Sequence, residues 1–240
     1  MGESVRRWGR GLTWSPGAFW PPETSGRFLG ETAIACVETL AISLAGTVLG
    51  LALAGPLLFA ATRTMMISGA HLWRQRVPQW RHAAHAGARA ALAVFRSIPE
   101  LVWGLIFVLF VGFGAVPAVL AIAVHTAGVF GKIIAELLEE VRPEPQEALV
   151  GCGASGPQVF LYGALGQAAP AVVSYVLYRW EVNIRMAAIF GFVGAGALGR
   201  LMQERLAWMR WPEVTTLVAA VFVVVLAVDL TSAWIRRRMV

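Results

Sequence analysis

The chain has little charge, one lysine and few cysteines. Only 14% of its 240 residues are Asp, Glu, Lys or Arg, against about 25% in an ordinary soluble domain. Lys132 is the single lysine, so the net charge of +6 comes almost wholly from arginine. Two cysteines, Cys36 and Cys152, exclude a disulfide framework. The span assignment given below sets them near opposite membrane faces, beyond bonding reach. Arg6, Arg7 and Arg10 are followed by Trp, Pro and Gly rather than by an apolar run, so no signal peptide is expected there. No G-x-x-x-x-G-K-[ST] motif occurs: Gly131-Lys132 is followed by Ile133, and Thr126 stands where the first glycine belongs. No Ser-His-Asp, Cys-His or paired-carboxylate arrangement supports catalysis, so the chain is not expected to be an enzyme.

What is abundant is apolar. Hydrophobic residues make up 58% of the chain and the mean hydropathy is +0.66. The expected class is an all-α integral membrane protein, because lipid satisfies no free backbone N–H or C=O. About five runs reach the roughly 20 residues that cross a bilayer, near 33–60, 97–115, 117–138, 168–192 and 213–235. The second and third are expected to form a tight hairpin around Gly112, Gly114 and Pro117. Residues 1–30, with Trp8, Trp14, Phe19 and Trp20, read as an interfacial segment, and 31–240 as the transmembrane domain. Nucleic-acid binding, the rival reading of a basic chain, is not expected, since the arginines flank apolar spans as anchoring charges do. Small residues Gly46, Gly50 and Ala54 at four-residue spacing read as a close-packing helix face.

Arginine placement orients the spans. Arg63, Arg74, Arg76, Arg81, Arg89 and Arg96 lie in 62–96, and Arg236, Arg237 and Arg238 close the chain. Both segments belong in the cytoplasm. The loop 139–167 then also faces inward and the N-terminus outward. Arg6, Arg7, Arg10, Arg27, Arg200, Arg205 and Arg210 fall on the outer side and run against the rule.

The polar interruption at 139–167 is the most informative segment. Pro143 and Pro145 suit the first turn of a new helix. Gln146 to Cys152 form that short helix, and Gly153 fits the left-handed position that ends it. Ser155-Gly156-Pro157-Gln158 spells a capping box for the next helix. The result is a short, stiff knob; an ordinary connecting loop is the alternative.

Glu147-Ala148, with Gly153 six residues after the Glu, resembles the loop by which ATP-binding-cassette importer permeases couple to their ATPase. Three further motifs, in order, resemble the phosphonate-importer permease family. They are Arg96-Ser97-Ile98-Pro99-Glu100-Leu101-Val102-Trp103; His125-Thr126-Ala127-Gly128-Val129 with Gly131-Lys132; and Tyr178-Arg179-Trp180-Glu181-Val182-Asn183-Ile184-Arg185, followed by Gly191 and by Val193-Gly194-Ala195-Gly196. The resemblance covers about residues 30–238. It implies a type I importer permease fold of the methionine-permease kind, in the inner cell membrane. It implies a second permease chain, identical or related, and an ATPase dimer that carries ATP and Mg while this chain binds no cofactor. It also implies a periplasmic or lipid-anchored binding protein. Glu147, Ala148 and Gly153 would be the coupling positions, and the solute a phosphonate or related phosphorus oxyanion moved by alternating access. The chain departs from the family pattern where Gly163 replaces an apolar residue and Gly166 a proline, which implies a looser start to the fourth span. Other small solutes, such as an amino acid or another oxyanion, remain alternatives. So do a membrane enzyme acting on lipid phosphates and an ion channel.

Charges inside the spans are costly, roughly 2.5–3.5 kcal/mol each near the bilayer centre. Ser174, Tyr178, Glu181 and Arg185 fall on one helical stripe and are expected to line the solute path, with Glu181 holding Arg185; a structural pair is the alternative. A guanidinium fork matches an oxyanion in charge and shape. Arg179 and Asn183 form a second stripe. Lys132 and Glu136 are expected to pair. Glu100 begins a helix after Pro99, where a carboxylate suits the helix dipole. Asp229 and Glu38 lack an obvious partner. Gly194-Ala195-Gly196-Ala197-Leu198-Gly199 spells a dinucleotide fingerprint, but no strand precedes it; a turn or re-entrant segment at the outer mouth is expected. His71, His82 and His85 hint at a metal site, but no cysteine or carboxylate joins them in that loop, so none is expected.

Overall fold

The computed structural model describes residues 21–63 and 78–239, and within these it holds helices and no strand. Arg6, Arg7, Arg10, Trp8, Trp14, Phe19, Trp20, His71, Arg74 and Arg76 lie outside the described residues. The long helices are α1 (Gly26–Ala61), α2 (Gln79–Ser97), α3 (Glu100–Val111), α4 (Ala115–Glu139) and α5 (Glu144–Gly151). A turn Gly156–Gln158 runs into a π-helical stretch, Val159–Leu165. Then come α6 (Gly166–Phe190), a 3-10 turn Gly191–Val193, α7 (Ala197–Ala207) and α8 (Trp211–Met239).

Four helical segments are long and apolar enough to cross a membrane: α1, α4, Gly156–Val193 and α8. They match four of the expected spans. The expected continuous span 97–115 is corrected. It is the short α3, whose 12 residues rise only about 18 Å against a core of about 30 Å. α3 meets α2 at 88° across a short break, the geometry of a broken span or a re-entrant loop. Ser97-Ile98-Pro99 causes the break. Proline pushes the residue before it out of the helical region, and Ile98 has ψ 125°. The carbonyls freed at the break find donors in side chains, as lipid requires. His125 Nδ1 lies 3.0 Å from the Ile98 carbonyl, and Trp103 Nε1 donates to Phe95 at 3.1 Å.

α1 packs most extensively on α4, through the predicted small face. A methyl group at Gly46 would stand 2.7 Å from Ile122 Cγ2, and one at Gly50 3.0 Å from the Ala123 carbonyl. α2 presses on α4 the same way: a methyl group at Gly131 would stand 2.4 Å from Leu92 Cδ2. Phe130, Ile134, Leu138 and Ala54 form the apolar core beneath. The α3–α4 hairpin turns as expected, on Gly112 at φ 91° and Gly114 at φ 140°. Phe113 sits against Gly194, where any side chain would collide with its ring.

The two ends of the bundle differ. At one end Arg89 binds Glu139 at 2.9 Å and the Ala61 carbonyl at 3.2 Å, so the ends of α1 and α4 meet α2 beside the 139–167 loop. At the other end Arg205 is bound by Glu213 at 2.8 Å and Glu31 at 3.3 Å, and Arg210 by Glu213 at 3.0 Å. With Arg27, 3.5 Å from Glu31, three of the arginines that run against the orientation rule are tied to carboxylates. The dinucleotide-like motif is a close-packed corner. Gly194 is left-handed at φ 79°, and α7 folds back so tightly that a methyl group at Gly199 would overlap the Ala188 carbonyl. Cys36 and Cys152 are free.

Candidate functional site: a coupling knob and a buried polar core

The 139–167 loop folds as its residues dictate. α5 opens with Pro143 as N-cap and Pro145 in its first turn. It closes in a Schellman motif: Ala154 N donates to the Leu149 carbonyl at 3.0 Å and Gly153 N to Val150 at 2.9 Å. Gly153 takes the left-handed conformation, φ 81°. Ser155 N then donates to Gln158 Oε1 at 2.8 Å within a capping box. Glu147, Ala148, Cys152 and Gly153 are exposed, while Gln146 is buried.

The clamp behind the knob was not legible beforehand. Gln167 Nε2 donates to the Gly163 carbonyl at 2.6 Å and to the Arg142 carbonyl at 3.2 Å, spanning the start of the knob and the π-helical stretch. Gly163 is small for a reason: a methyl group there would stand 3.0 Å from Gln146 Cγ and 3.2 Å from Leu149 Cδ1. The departure from the family pattern at Gly163 is where α5 lies flat against the following helix. Val159–Leu165 winds as a π-helix into the start of α6.

The span charges divide into two groups. Arg179 and Asn183 face inward. Arg179 Nη2 donates to Glu100 Oε1, and His125 Nε2 lies 3.3 Å from the same oxygen. All three side chains are nearly buried, 14% exposed at most. The cluster sits at the α2–α3 break and ties it to α4 and α6. One turn along α6, Asn183 Nδ2 donates to Thr47 Oγ1 at 2.8 Å and to Thr126 Oγ1 at 3.2 Å, joining α1, α4 and α6. Glu100, His125, Arg179 and Asn183 were each visible in the sequence, but their convergence was not. Only the four-residue spacing of Arg179 and Asn183 pointed to a shared face.

The other stripe is only partly open: the Glu181 side chain is 12% exposed. Tyr178 and Arg185 are exposed, Ser174 is half-buried, and Glu181 binds Arg185 at 3.0 Å as expected. Arg236 of α8 also approaches Glu181, at 3.6 Å. Asp229 Oδ1 and Ser232 Oγ on α8 are buried without a hydrogen-bond partner among the described residues. Lys132 and Glu136 pair at 3.8 Å, both about half exposed, and such a pair is worth little. Glu38 lies exposed on α1. His85 Nδ1 is 3.2 Å from the Ala60 carbonyl, and no group of three metal-binding side chains occurs among the described residues.

Comparison with known proteins agrees with this geometry. The model of the family "Binding-protein-dependent transport system inner membrane component" matches residues 85–240. The chain is 36% identical over 202 residues to the phosphite transport system permease protein PtxC of Stutzerimonas stutzeri, covering 84% of this chain and 68% of that protein. It is 32% identical over 206 residues to the phosphate-import permease protein PhnE of Mycolicibacterium smegmatis, covering 86% of this chain but 36% of that one. The chain thus spans about two thirds of the first relative and about a third of the second. Its fold is similar to a chain of the inward-facing MetNI methionine ABC transporter, with a TM-score of 0.71 at 22% identity, over 90% of this chain and 100% of that one. The chain belongs to the family of binding-protein-dependent transport system inner membrane components, and is by that membership a transport subunit.

Proposed function

We propose that this chain is the membrane-spanning subunit of an ATP-driven importer of phosphonate, phosphite or a related phosphorus oxyanion. The observation that carries the reading is the knob: Glu147, Ala148 and Gly153 are exposed on a helix clamped through Gln146 and Gly163 to the start of α6. A separate ATPase dimer, holding ATP and Mg, closes on this knob. The motion passes along α6 because the knob cannot bend independently of it. A solute-binding protein, periplasmic or lipid-anchored, delivers the anion on the opposite face, and a second permease chain completes the path across the inner cell membrane. Kinship with permeases named for phosphite and phosphate supports the solute class.

Within this reading Ser174, Tyr178, Glu181 and Arg185 line the path. Tyr178 and Arg185 are left open by the subunit's own packing, with Ser174 half-buried and Glu181 nearly buried beside them. Glu181 holds the Arg185 guanidinium and keeps it from trapping the anion. Alternating access follows from two arrangements of the bundle, biased by nucleotide and by the loaded binding protein.

The test is reconstitution in proteoliposomes with the partner ATPase and binding protein. ATP-dependent uptake of labelled phosphite or methylphosphonate is expected, competed by related oxyanions. Uptake without nucleotide would point to a channel, and uptake of an amino acid alone would refute the solute class.

A further inference from the structure

A cleft of about 80 Å³ lies between α2 and α4 on the side of the coupling loop, lined by Arg89, Leu92, Arg96, Gly131, Lys132 and Glu136. Its charges do not cancel. Arg89 is engaged by Glu139, with Nη2 at 2.9 and 3.2 Å from the two carboxylate oxygens. Lys132 is met by Glu136. Arg96 has no hydrogen-bond or ion-pair partner among the described residues, although its side chain lines the cleft.

The position makes this unusual. The Arg96 backbone touches α4 at Gly128, where a methyl group would lie 2.7 Å from Arg96 N. Gly128 stands roughly 16 Å along the helix from its end at Glu139. A guanidinium held against that helix contact, with no ion-pair partner among the described residues, marks a polar path or a bound anion. The floor is made by glycine: Gly131 gives Leu92 room to press onto α4, and the cations stand around that contact. At about 30 Å³ per water, the cleft holds roughly three waters. That is about the size of one tetrahedral oxyanion, with its phosphorus and oxygens.

We propose that this cleft binds a phosphorus oxyanion, with Arg96 as the principal ligand, Lys132 as a second cation and Glu136 moderating the affinity. The Arg96 fork presents parallel N–H donors to two terminal oxygens. Lys132 adds a point charge, half offset by Glu136, so the anion is held but can leave. The small volume of the cleft favours a free oxyanion over the headgroup phosphate of a lipid. The free-ion form rests on the import reading above and adds to it a station on the coupling-loop side, separate from the Tyr178–Arg185 stripe.

The experiment is equilibrium binding of sodium phosphite to the full-length chain in detergent, read by 31P NMR line broadening, without nucleotide, ATPase or binding protein. Failure of ATP-driven import therefore leaves this result standing, and the reverse. Saturable binding is expected. Arg96→Gln should weaken it about tenfold or more, as loss of a charge-assisted fork does, and Arg96→Lys by less. Glu136→Gln should tighten it, an effect that a damaged fold cannot imitate. A parallel arm reconstitutes the chain in nanodiscs with and without phosphatidylglycerol and reads retained lipid by native mass spectrometry. Stoichiometric lipid that is lost in Arg96→Gln, with no phosphite binding, supports the oxyanion site with a headgroup as its source. Binding of neither phosphite nor lipid overturns the proposal. So does an Arg96→Gln chain that melts like wild type and binds phosphite equally well.

Discussion

Removing one charge from the Glu100–Arg179–His125 cluster should be among the most damaging changes available in this chain. The pair is nearly buried, with side chains 10% and 11% exposed, and it sits where α2 and α3 part. Breaking a buried ion pair from one side costs about 3–5 kcal/mol, because the surviving charge keeps its desolvation penalty and loses its partner. Arg179→Met should therefore destabilise the bundle by about 3–5 kcal/mol, and Glu100→Gln by a similar amount. Replacing both should cost much less than the sum, since no uncompensated charge is left. His125 gives an internal check. Its Nδ1 lies at the Ile98 carbonyl and its Nε2 faces Glu100, so His125→Leu frees a carbonyl at the break even when the ion pair is intact. The assay is reversible unfolding of the reconstituted chain in mixed micelles, followed by helical circular dichroism for the four corners of the cycle. A double variant whose cost equals the sum of the single costs would refute the reasoning, because the two charges would then act independently.

Four further outcomes follow from other contacts. Gly153→Ala forces a side chain into φ 81°; a cost of about 1–2 kcal/mol is expected in the loop, read as weaker stimulation of the partner ATPase while assembly persists. Gly163→Val pushes α5 off Gln146 and Leu149 and should uncouple ATP hydrolysis from uptake; coupled transport at the wild-type ratio would sink the clamp. Gly128→Ala meets backbone at 2.7–2.8 Å, so overpacking should lower stability by about 1–3 kcal/mol, measured by the same unfolding assay. Arg185→Ala, on an exposed position, should leave assembly intact and reduce phosphite uptake, and unchanged uptake would remove the open stripe from the path.

The sequence carried the conformation of the 139–167 loop almost completely, because its determinants are local. Pro143, Pro145, Gly153 and the Ser155–Gln158 pair each act within a few residues, and each does in the structure what its chemistry requires. The same holds for the Gly46–Gly50–Ala54 face. The bend between α2 and α3 was missed because hydropathy sums composition and is blind to direction. Residues 97–115 are apolar enough to cross, yet Ile98-Pro99 turns the chain by 88°. The Glu100 cluster was missed for a different reason. Its members lie 25 and 54 residues apart along the chain, and nothing local reports that α4 and α6 bring His125 and Arg179 to the same carboxylate. Arg96 illustrates the limit from the other side: a signature residue by resemblance, it gained meaning only once its neighbours were seen to leave it unanswered.

The seven π-wound residues Val159–Leu165 act as a phase setter between the knob and the helix that follows. A surplus residue in such a bulge turns everything downstream by about 100° about the axis relative to an unbroken α-helix. The compass bearing of Tyr178 and Arg185 relative to Glu147 therefore depends on this π-wound stretch. Deleting one residue there would leave both ends intact as modules and point them in different directions, like a crankshaft reassembled one spline out.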